Sequence, residues 1–371
     1  MQQVGQTRRP IVRTKILGLV VTAAGVFSAM LPAAASAAPV IRFAVTPGSS
    51  CVGGSAHPDT NLQLRWRNGG GYAKVVVTVR VSEFGQWSYC DPYAVLEAGD
   101  TLRANDSIGQ RTFSMPELTL VVDRVQDQFR GRAPAGSQME LSFHAGIFAD
   151  YYESAEVAAN AEGRWLYELD YDLLAGIDAY LWWTSAQGDT VETQAQAAQV
   201  TVTIGRSRVF GAVREGPSAA IGLRDATNSL KGVASASGDD YGGFDSRFEN
   251  GSNAPVTVAA GDRVIAKQMA SDLDWIVPDI EGVADVPNDL VSGRCHDAGM
   301  YTDVIIVEVI RGGQRRGYAF ADADSNGAFV ADFGQPPDFF YAPANIRHGD
   351  KILVRCMLET GDWAQRFFAV P

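Results

Sequence analysis

The sequence predicts an all-β chain of four tandem antiparallel β-sandwiches behind an export signal, and three observations carry that expectation. A glycine recurs at Gly54, Gly131, Gly211 and Gly293, in steps of 77, 80 and 82 residues. An aromatic residue follows each of them, Trp87, Trp165, Phe244 and Phe329, after 33, 34, 33 and 36 residues. Between these landmarks apolar residues alternate with period two, as strands with one buried face require, and no stretch sustains a helical apolar period over three turns.

The chain opens on Arg8, Arg9, Arg13 and Lys15 without an acid, continues with the apolar run Ile16 to Leu31, and reaches Ala35-Ser36-Ala37. Basic, apolar, then small-x-small is the order of a secretory signal, so residues 1–37 are expected to be removed before Ala38. A retained membrane anchor is the rival reading, and Thr7-Arg8-Arg9 hints at twin-arginine export without fixing the route. No later segment offers the roughly 18 apolar residues of a membrane helix, so no transmembrane segment is expected in the mature chain. Removal of the signal leaves 27 basic against 43 acidic residues, a net charge of −16. Such a surface repels phosphate backbones and argues against nucleic acid as a partner.

The repeats are expected at 38–116, 117–197, 198–279 and 280–371. Offsets of 8, 10 and 12 from the opening glycine give Leu62, Leu64, Trp66 in the first, Met139, Leu141, Phe143 in the second and Ala219, Ile221, Leu223 in the third. The matching strand of the fourth is expected at Val304 to Ile310, after a longer loop. Val75, Val77, Val79 and Val81 mark the clearest single strand, and the Gln- and Ala-rich segment from Glu192 to Gln199 is a poor helix candidate. A late turn closes each unit, Ala98-Gly99-Asp100, Ala260-Gly261-Asp262 and His348-Gly349-Asp350, with a degenerate Ala175-Gly176-Ile177-Asp178 in the second. Glycine there supplies a positive φ and aspartate bonds its own backbone.

The scheme of opening glycine, alternating strand, Ala-Asp-x-x-Gly-x-Phe hairpin and late Gly-Asp turn resembles the Ig-like and carboxypeptidase-regulatory-like β-sandwich repeats of bacterial secreted and cell-surface proteins. The fourth repeat carries it best, in Ala321-Asp322-Ala323-Asp324-Ser325-Asn326-Gly327-Ala328-Phe329 and Arg347-His348-Gly349-Asp350. The resemblance implies a fold, a secreted or cell-surface location and no catalytic residues.

Cys51, Cys90, Cys295 and Cys356 are even in number in an oxidising setting and lack finger-like spacing, which favours disulfides over metal binding. Two fall in the first repeat and two in the last, suggesting Cys51–Cys90 and Cys295–Cys356. Asp322, Asp324 and Asn326, with Gly327, match the first half of a calcium loop, but its twelfth position is Phe333, so an ordinary hairpin turn competes with calcium and no other cofactor is expected.

Aromatics gather in the second repeat, at Tyr151, Tyr152, Trp165, Tyr167, Tyr171, Tyr180, Trp182 and Trp183. Counting from the turn aspartate puts Trp182 in the interior and Trp183 toward solvent. Trp183, with Tyr180 and Trp182 beside it, is therefore the candidate binding residue, for stacking on a sugar or a protein surface, against packing between neighbouring repeats. No Ser elbow, Cys–His pair or H-E-x-x-H occurs, the histidines are only His57, His144, His296 and His348, and acids such as Asp239, Asp240 and Asp245 are not recognisable as a glycosidase pair. The expectation is a non-catalytic extracellular structural or adhesive protein whose partner is an extracellular protein or polysaccharide. The alternative is a secreted carbohydrate-binding protein using the second repeat.

Overall fold

A computed structural model describes residues 41–144, 152–212, 219–238, 243–267, 272–296, 300–336 and 341–371. Residues 1–37, for which an export signal is expected, and Tyr151, Asp239, Asp240 and Asp297 lie outside them. The described chain is all-β, with no α-helix and no helix long and apolar enough to cross a membrane among these residues. The segment from Glu192 is strand.

The first repeat contributes β1 (Arg42–Val45), β2 (Cys51–Ser55), β3 (Asn61–Arg67), β4 (Ala73–Arg80), β5 (Gln86–Cys90), β6 (Thr101–Asn105) and β7 (Gln110–Ser114). They form a three-stranded layer β1-β2-β5 and a four-stranded layer β4-β3-β6-β7. The second contributes β8 (Thr119–Asp123), β9 (Gln128–Arg132), β10 (Gln138–His144), β11 (Tyr152–Ala158), β12 (Arg164–Glu168), β13 (Asp178–Thr184) and β14 (Thr190–Gln196), ordered β8-β9-β12 and β11-β10-β13-β14. The third contributes β15 (Gln199–Thr203), β16 (Arg208–Ala212), β17 (Ala219–Arg224), β18 (Leu230–Ala236), β19 (Gly243–Arg247), β20 (Arg263–Lys267) and β21 (Asp272–Ile276), ordered β15-β16-β19 and β18-β17-β20-β21. The fourth contributes β22 (Asp279–Asp285), β23 (Leu290–His296), β24 (Met300–Arg311), β25 (Gln314–Ala321), β26 (Ala328–Asp332), the short β27 (Tyr341–Ala342), β28 (Lys351–Leu358) and β29 (Trp363–Ala369). Its layers are β22-β23-β26 and β27-β25-β24-β28-β29. The same three-plus-four order thus recurs along the chain, as tandem sandwich-like units, the last with the short β27 added at its edge.

The glycine-to-aromatic interval has a direct physical cause. Gly54 pairs across the sheet with Trp87, Gly131 with Trp165, Gly211 with Phe244 and Gly293 with Phe329. A Cβ at any of the four would lie 1.9 to 2.1 Å from a carbonyl oxygen of the strand on the other side, at Arg42, Thr119, Gln199 or Glu281. Only glycine lets that strand close in, and the buried aromatic opposite covers the gap left by the missing side chain. Leu62, Leu64 and Trp66, Met139, Leu141 and Phe143, and Ile221 and Leu223 fill the interiors beneath.

The late turn is a second shared device. Asp100, Asp262 and Asp350 are buried, and each carboxylate meets a cation and a backbone N–H of its own turn. Asp100 accepts from Lys74 at 2.9 Å, the Trp66 indole at 2.8 Å and the Glu97 N–H at 3.0 Å. Asp262 accepts from Lys231 at 2.5 Å and the Ala259 N–H at 2.8 Å, and Asp350 takes both a two-pronged contact from Arg311 at 2.7 Å and the Arg347 N–H at 2.9 Å. Charge-assisted bonds of this kind satisfy a carboxylate that burial alone would destabilise. In the second repeat the structural counterpart is Ile177, whose carbonyl accepts from Ala197 as those of Asp100, Asp262 and Asp350 accept from Met115, Val277 and Val370. There the ion pair is replaced by a buried apolar side chain.

The repeats are coupled in twos. β14 pairs in parallel with β1, Val45 opposite Val191, so the four-stranded layer of the second repeat continues into the three-stranded layer of the first. β29 pairs in parallel with β15 in the same way, joining the fourth repeat to the third. Two continuous apolar cores result, one from Ile41 to Ala197 and one from Ala198 to Val370.

Candidate functional site

Tyr180 and Trp182 stand on β13, and their neighbours decide where they point. Ala179 and Leu181 alternate with them and are buried, and Trp183 lies across from Met139 and Val191, both buried. Trp183 therefore packs against the core, while Tyr180 and Trp182 stand on the open face of the layer. This reverses the sequence expectation. The extra residue in Ala175-Gly176-Ile177-Asp178 makes Ile177 the turn residue, and a register shift of one exchanges the two faces of a strand.

Register across the four strands fixes what else shares that face. Glu156 on β11 lies opposite Glu140 on β10, Glu140 opposite Trp182, and Trp182 opposite Glu192 on β14. The next row holds Ser154, Ser142, Tyr180 and Gln194, and His144 pairs with Tyr152 beyond it. The rings of Tyr180 and Trp182 are stacked with centroids 5.8 Å apart, Tyr152 meets Tyr180 at 6.2 Å, and His144 meets Tyr152 at 4.0 Å. Burial, with Asp178, Tyr152 and Glu192 nearby, raises the Tyr180 phenol above its ordinary pKa, and burial likewise raises Asp178. Chemically this is a strip of π-faces bordered by carboxylates, suited to cations and to polar ring compounds.

The calcium candidate stands in a tight turn. One oxygen of Asp324 accepts the N–H groups of Asn326 and Ala328 at 2.8 and 2.9 Å, and those two bonds hold its pKa below the usual carboxylate range. Gly327 closes the turn at φ 75°, with its N–H on the Asp324 carbonyl at 2.9 Å. Asp322 stands outside that network in an intermediate to exposed stretch, and no cluster of three metal-ligating side chains occurs among the described residues. The cysteines form two bonds, Cys51–Cys90 between β2 and β5 and Cys295–Cys356 between β23 and β28. Cys295-His296-Asp297 is thereby without a thiol.

Four features were not legible in the sequence. Asp189, buried in the turn before β14, accepts the Phe43 N–H of β1 at 3.1 Å, the Ser185 hydroxyl at 3.1 Å and the Arg111 guanidinium. Asp362, buried before β29, accepts the Val200 N–H of β15 at 2.8 Å, the Thr360 hydroxyl at 2.8 Å and Arg124 at 3.1 Å. The available signal was the Gly188-Asp189 and Gly361-Asp362 pairs, placed before the last strand of the even repeats alone. His57 and Asp106 form a buried contact of 2.6 Å, in which Asp106 also accepts the N–H groups of Ile108 and Gly109 and the Thr60 hydroxyl donates to the His57 carbonyl. A groove of about 950 Å3 in the third repeat is lined by Arg208, Lys231, Asp245, Arg247 and Glu249. Its cations are spoken for, Arg208 by Asp245, Arg247 by Glu249 and Lys231 by Asp262.

No family model matches the chain, and no curated protein matches it. Distant matches occur among solved structures. The tetra-tandem repeat in the extending region of a large adhesion protein is 11% identical over 90% of this chain and 100% of that one, with a TM-score of 0.19. The BSP domain of a biofilm-associated protein is 8% identical over 89% and 95%, TM-score 0.18. A structure concerning host-cell surface retention of a 1.5-MDa bacterial ice-binding adhesin is 10% identical over 66% and 89%, TM-score 0.17. The all-β architecture is read from the chain's own strands.

Proposed function

We propose that this chain is a non-catalytic extracellular structural or adhesive protein, a spacer of four Ig-like sandwiches at 38–116, 117–197, 198–279 and 280–371, stiffened by coupling in twos. The observation that carries this reading is the coupling itself, since sheet and core run unbroken from one repeat into its neighbour and a buried carboxylate caps the shared strand. Beads on flexible linkers lack such joints, and relative motion is the default where interfaces are small and polar. Export by the expected signal places it outside a bacterial cell or on its surface. Fractionation tests the location, and X-ray scattering the stiffness: a single extended rigid particle outside the cytoplasm is expected, and a cytoplasmic or freely jointed protein would sink the reading.

The stacked Tyr180 and Trp182 favour one second reading, binding of carbohydrate on the open face of the second repeat. Pull-down on insoluble polysaccharides with Trp182→Ala, using Trp183→Ala as the core control, separates the two. Retention lost only in Trp182→Ala supports the glycan reading, and no retention across a broad panel removes it.

A further inference from the structure

The open faces of the first two repeats are charged in opposite senses, and each repels itself. On the first repeat, Arg65 on β3 lies opposite Arg103 on β6, and both are exposed. Their row ends in Val76 and Thr112, the next holds Arg67 with Ala73, Thr101 and Ser114, and the remaining places are Asn61, Gln63, Thr78, Arg80, Asn105 and Gln110. None of these strand positions carries a carboxylate; Arg80, at the corner, is paired with the exposed Asp59 at 3.2 Å, while Arg65, Arg67 and Arg103 make no ion pair among the described residues. On the second repeat Glu140 and Glu156 face each other directly, Glu192 completes the row, and among the described residues no Lys or Arg stands on the face. Like charges directly opposite one another destabilise a sheet. Residues 117–197 hold 14 acidic against 4 basic residues, while 38–116 hold 6 against 7.

We propose that the basic face of the first repeat docks onto the acidic, aromatic face of the second repeat of another copy of this chain. Arg65, Arg67 and Arg103 then meet Glu140, Glu156 and Glu192, and their guanidinium planes find Trp182, Tyr180 and Tyr152 to stack on. Both intramolecular repulsions are relieved by one contact. The faces cannot satisfy each other within one molecule. Val45 and Val191 are adjacent and both buried, so the two repeats share the inner side of the seven-stranded sheet, which turns the acidic face outward on one side and the basic face outward on the other. Docking therefore leaves a free face at each end and repeats head to tail, the heterologous contact that builds filaments rather than closed dimers. Each face is about 19 Å across four strands and about 17–23 Å along five to seven residues, which puts the contact near the small end of specific interfaces, about 1,200 Å2 or less. Association is accordingly weak and governed by salt.

Sedimentation velocity of the full chain at about 10 mM and about 1 M salt, where screening lengths are about 30 and about 3 Å, is the test. Concentration-dependent growth beyond a dimer at low salt, abolished at high salt, is expected. Arg65→Glu with Arg103→Glu makes both faces acidic, and Glu140→Lys with Glu156→Lys makes both basic. Each doubly substituted chain should lose association by about tenfold or more, and a mixture of the two should regain it. The neutral pair Arg65→Gln and Arg103→Gln keeps the test valid if the reversals fail to fold, since removal of the repulsion leaves the sandwich at least as stable while association falls. A wild-type monomer at low salt, unchanged association in the variants, no rescue in the mixture, or capture of an anionic polysaccharide by the basic face without self-association would each overturn the proposal. The proposal rests on the structural reading above, yet fails separately from it: an exported, rigid protein that never self-associates leaves the spacer intact.

Discussion

The two coupled halves, residues 41–197 and 198–371, solve one problem with one device and differ in where its last part comes from. In both, a buried aspartate before the final strand caps the first strand of the preceding repeat and is neutralised by an arginine. Arg111, which serves Asp189, belongs to the first half itself. Arg124, which serves Asp362, belongs to the first half as well, and it also donates to the Ala198 carbonyl at 2.6 Å and to that of Thr360. The Ala175 N–H bonds Thr360, and Gln199 bonds the Gly361 carbonyl, at the same junction. The first half is thus closed on itself, while the second is closed by the first. Stability in such an array should run in one direction along the chain.

The strongest way to break that comparison is Asp362→Ala, which strands Arg124, its side chain 5% exposed, as an unpaired buried cation. A loss of about 3–5 kcal/mol is expected, with amide exchange accelerated in both halves. Asp189→Ala should cost a similar amount and accelerate exchange in the first half alone. Equal confinement of the two effects would show the halves to be independent. Next in size are the disulfides. Closed loops of 39 and 61 residues each contribute about 4 kcal/mol by chain entropy, the longer slightly more. Denaturant midpoints of the Cys51→Ala, Cys90→Ala and Cys295→Ala, Cys356→Ala chains measure whether the two ends are tied equally. Gly131→Ala and Gly293→Ala, one in each half, should each cost about 1–3 kcal/mol or more through the carbonyl clash, read as lowered melting temperatures.

The smallest effects concern pH and have opposite signs. Hydrogen bonds from Arg311, outweighing burial, hold Asp350 below the ordinary carboxylate range. A lowered native pKa contributes stability above the unfolded value, about 3.9, and loses it as pH falls through the native one. Asp350→Asn should therefore be destabilising at pH 7 and neutral in acid. Burial raises Asp178, so its ionised form opposes folding until pH falls through the raised value. Asp178→Asn should stabilise at pH 7, with the gain fading toward about pH 4. Urea titrations at the two pH values check both.

Much of the repeat was legible because its causes lie within one unit. The glycine and its aromatic partner pair directly across one layer, and the two strands between them form a hairpin of the other layer, which sets their spacing. The candidate site was legible only in composition. Tyr180, Trp182 and Trp183 stood out, but which of them faces outward depended on a single extra residue at Ile177 that counting from Asp178 could not register. Spacing also could not separate the Asp324 turn from a calcium loop, because the same oxygen that would bind a cation bonds the backbone of its own turn.

By itself the sequence determined the all-β class, the alternating strands and the glycine-to-aromatic pairs, since burial of alternate side chains and closure around a glycine are properties of neighbouring strands. Tertiary structure alone decided that the units pair, that the pairs are bolted through Arg124, and that oppositely charged faces point away from each other. The Phe43–Asp189 and Val200–Asp362 contacts span 146 and 162 residues. Separations of that size leave no period in a sequence, because what fixes them is the meeting of two finished sheets.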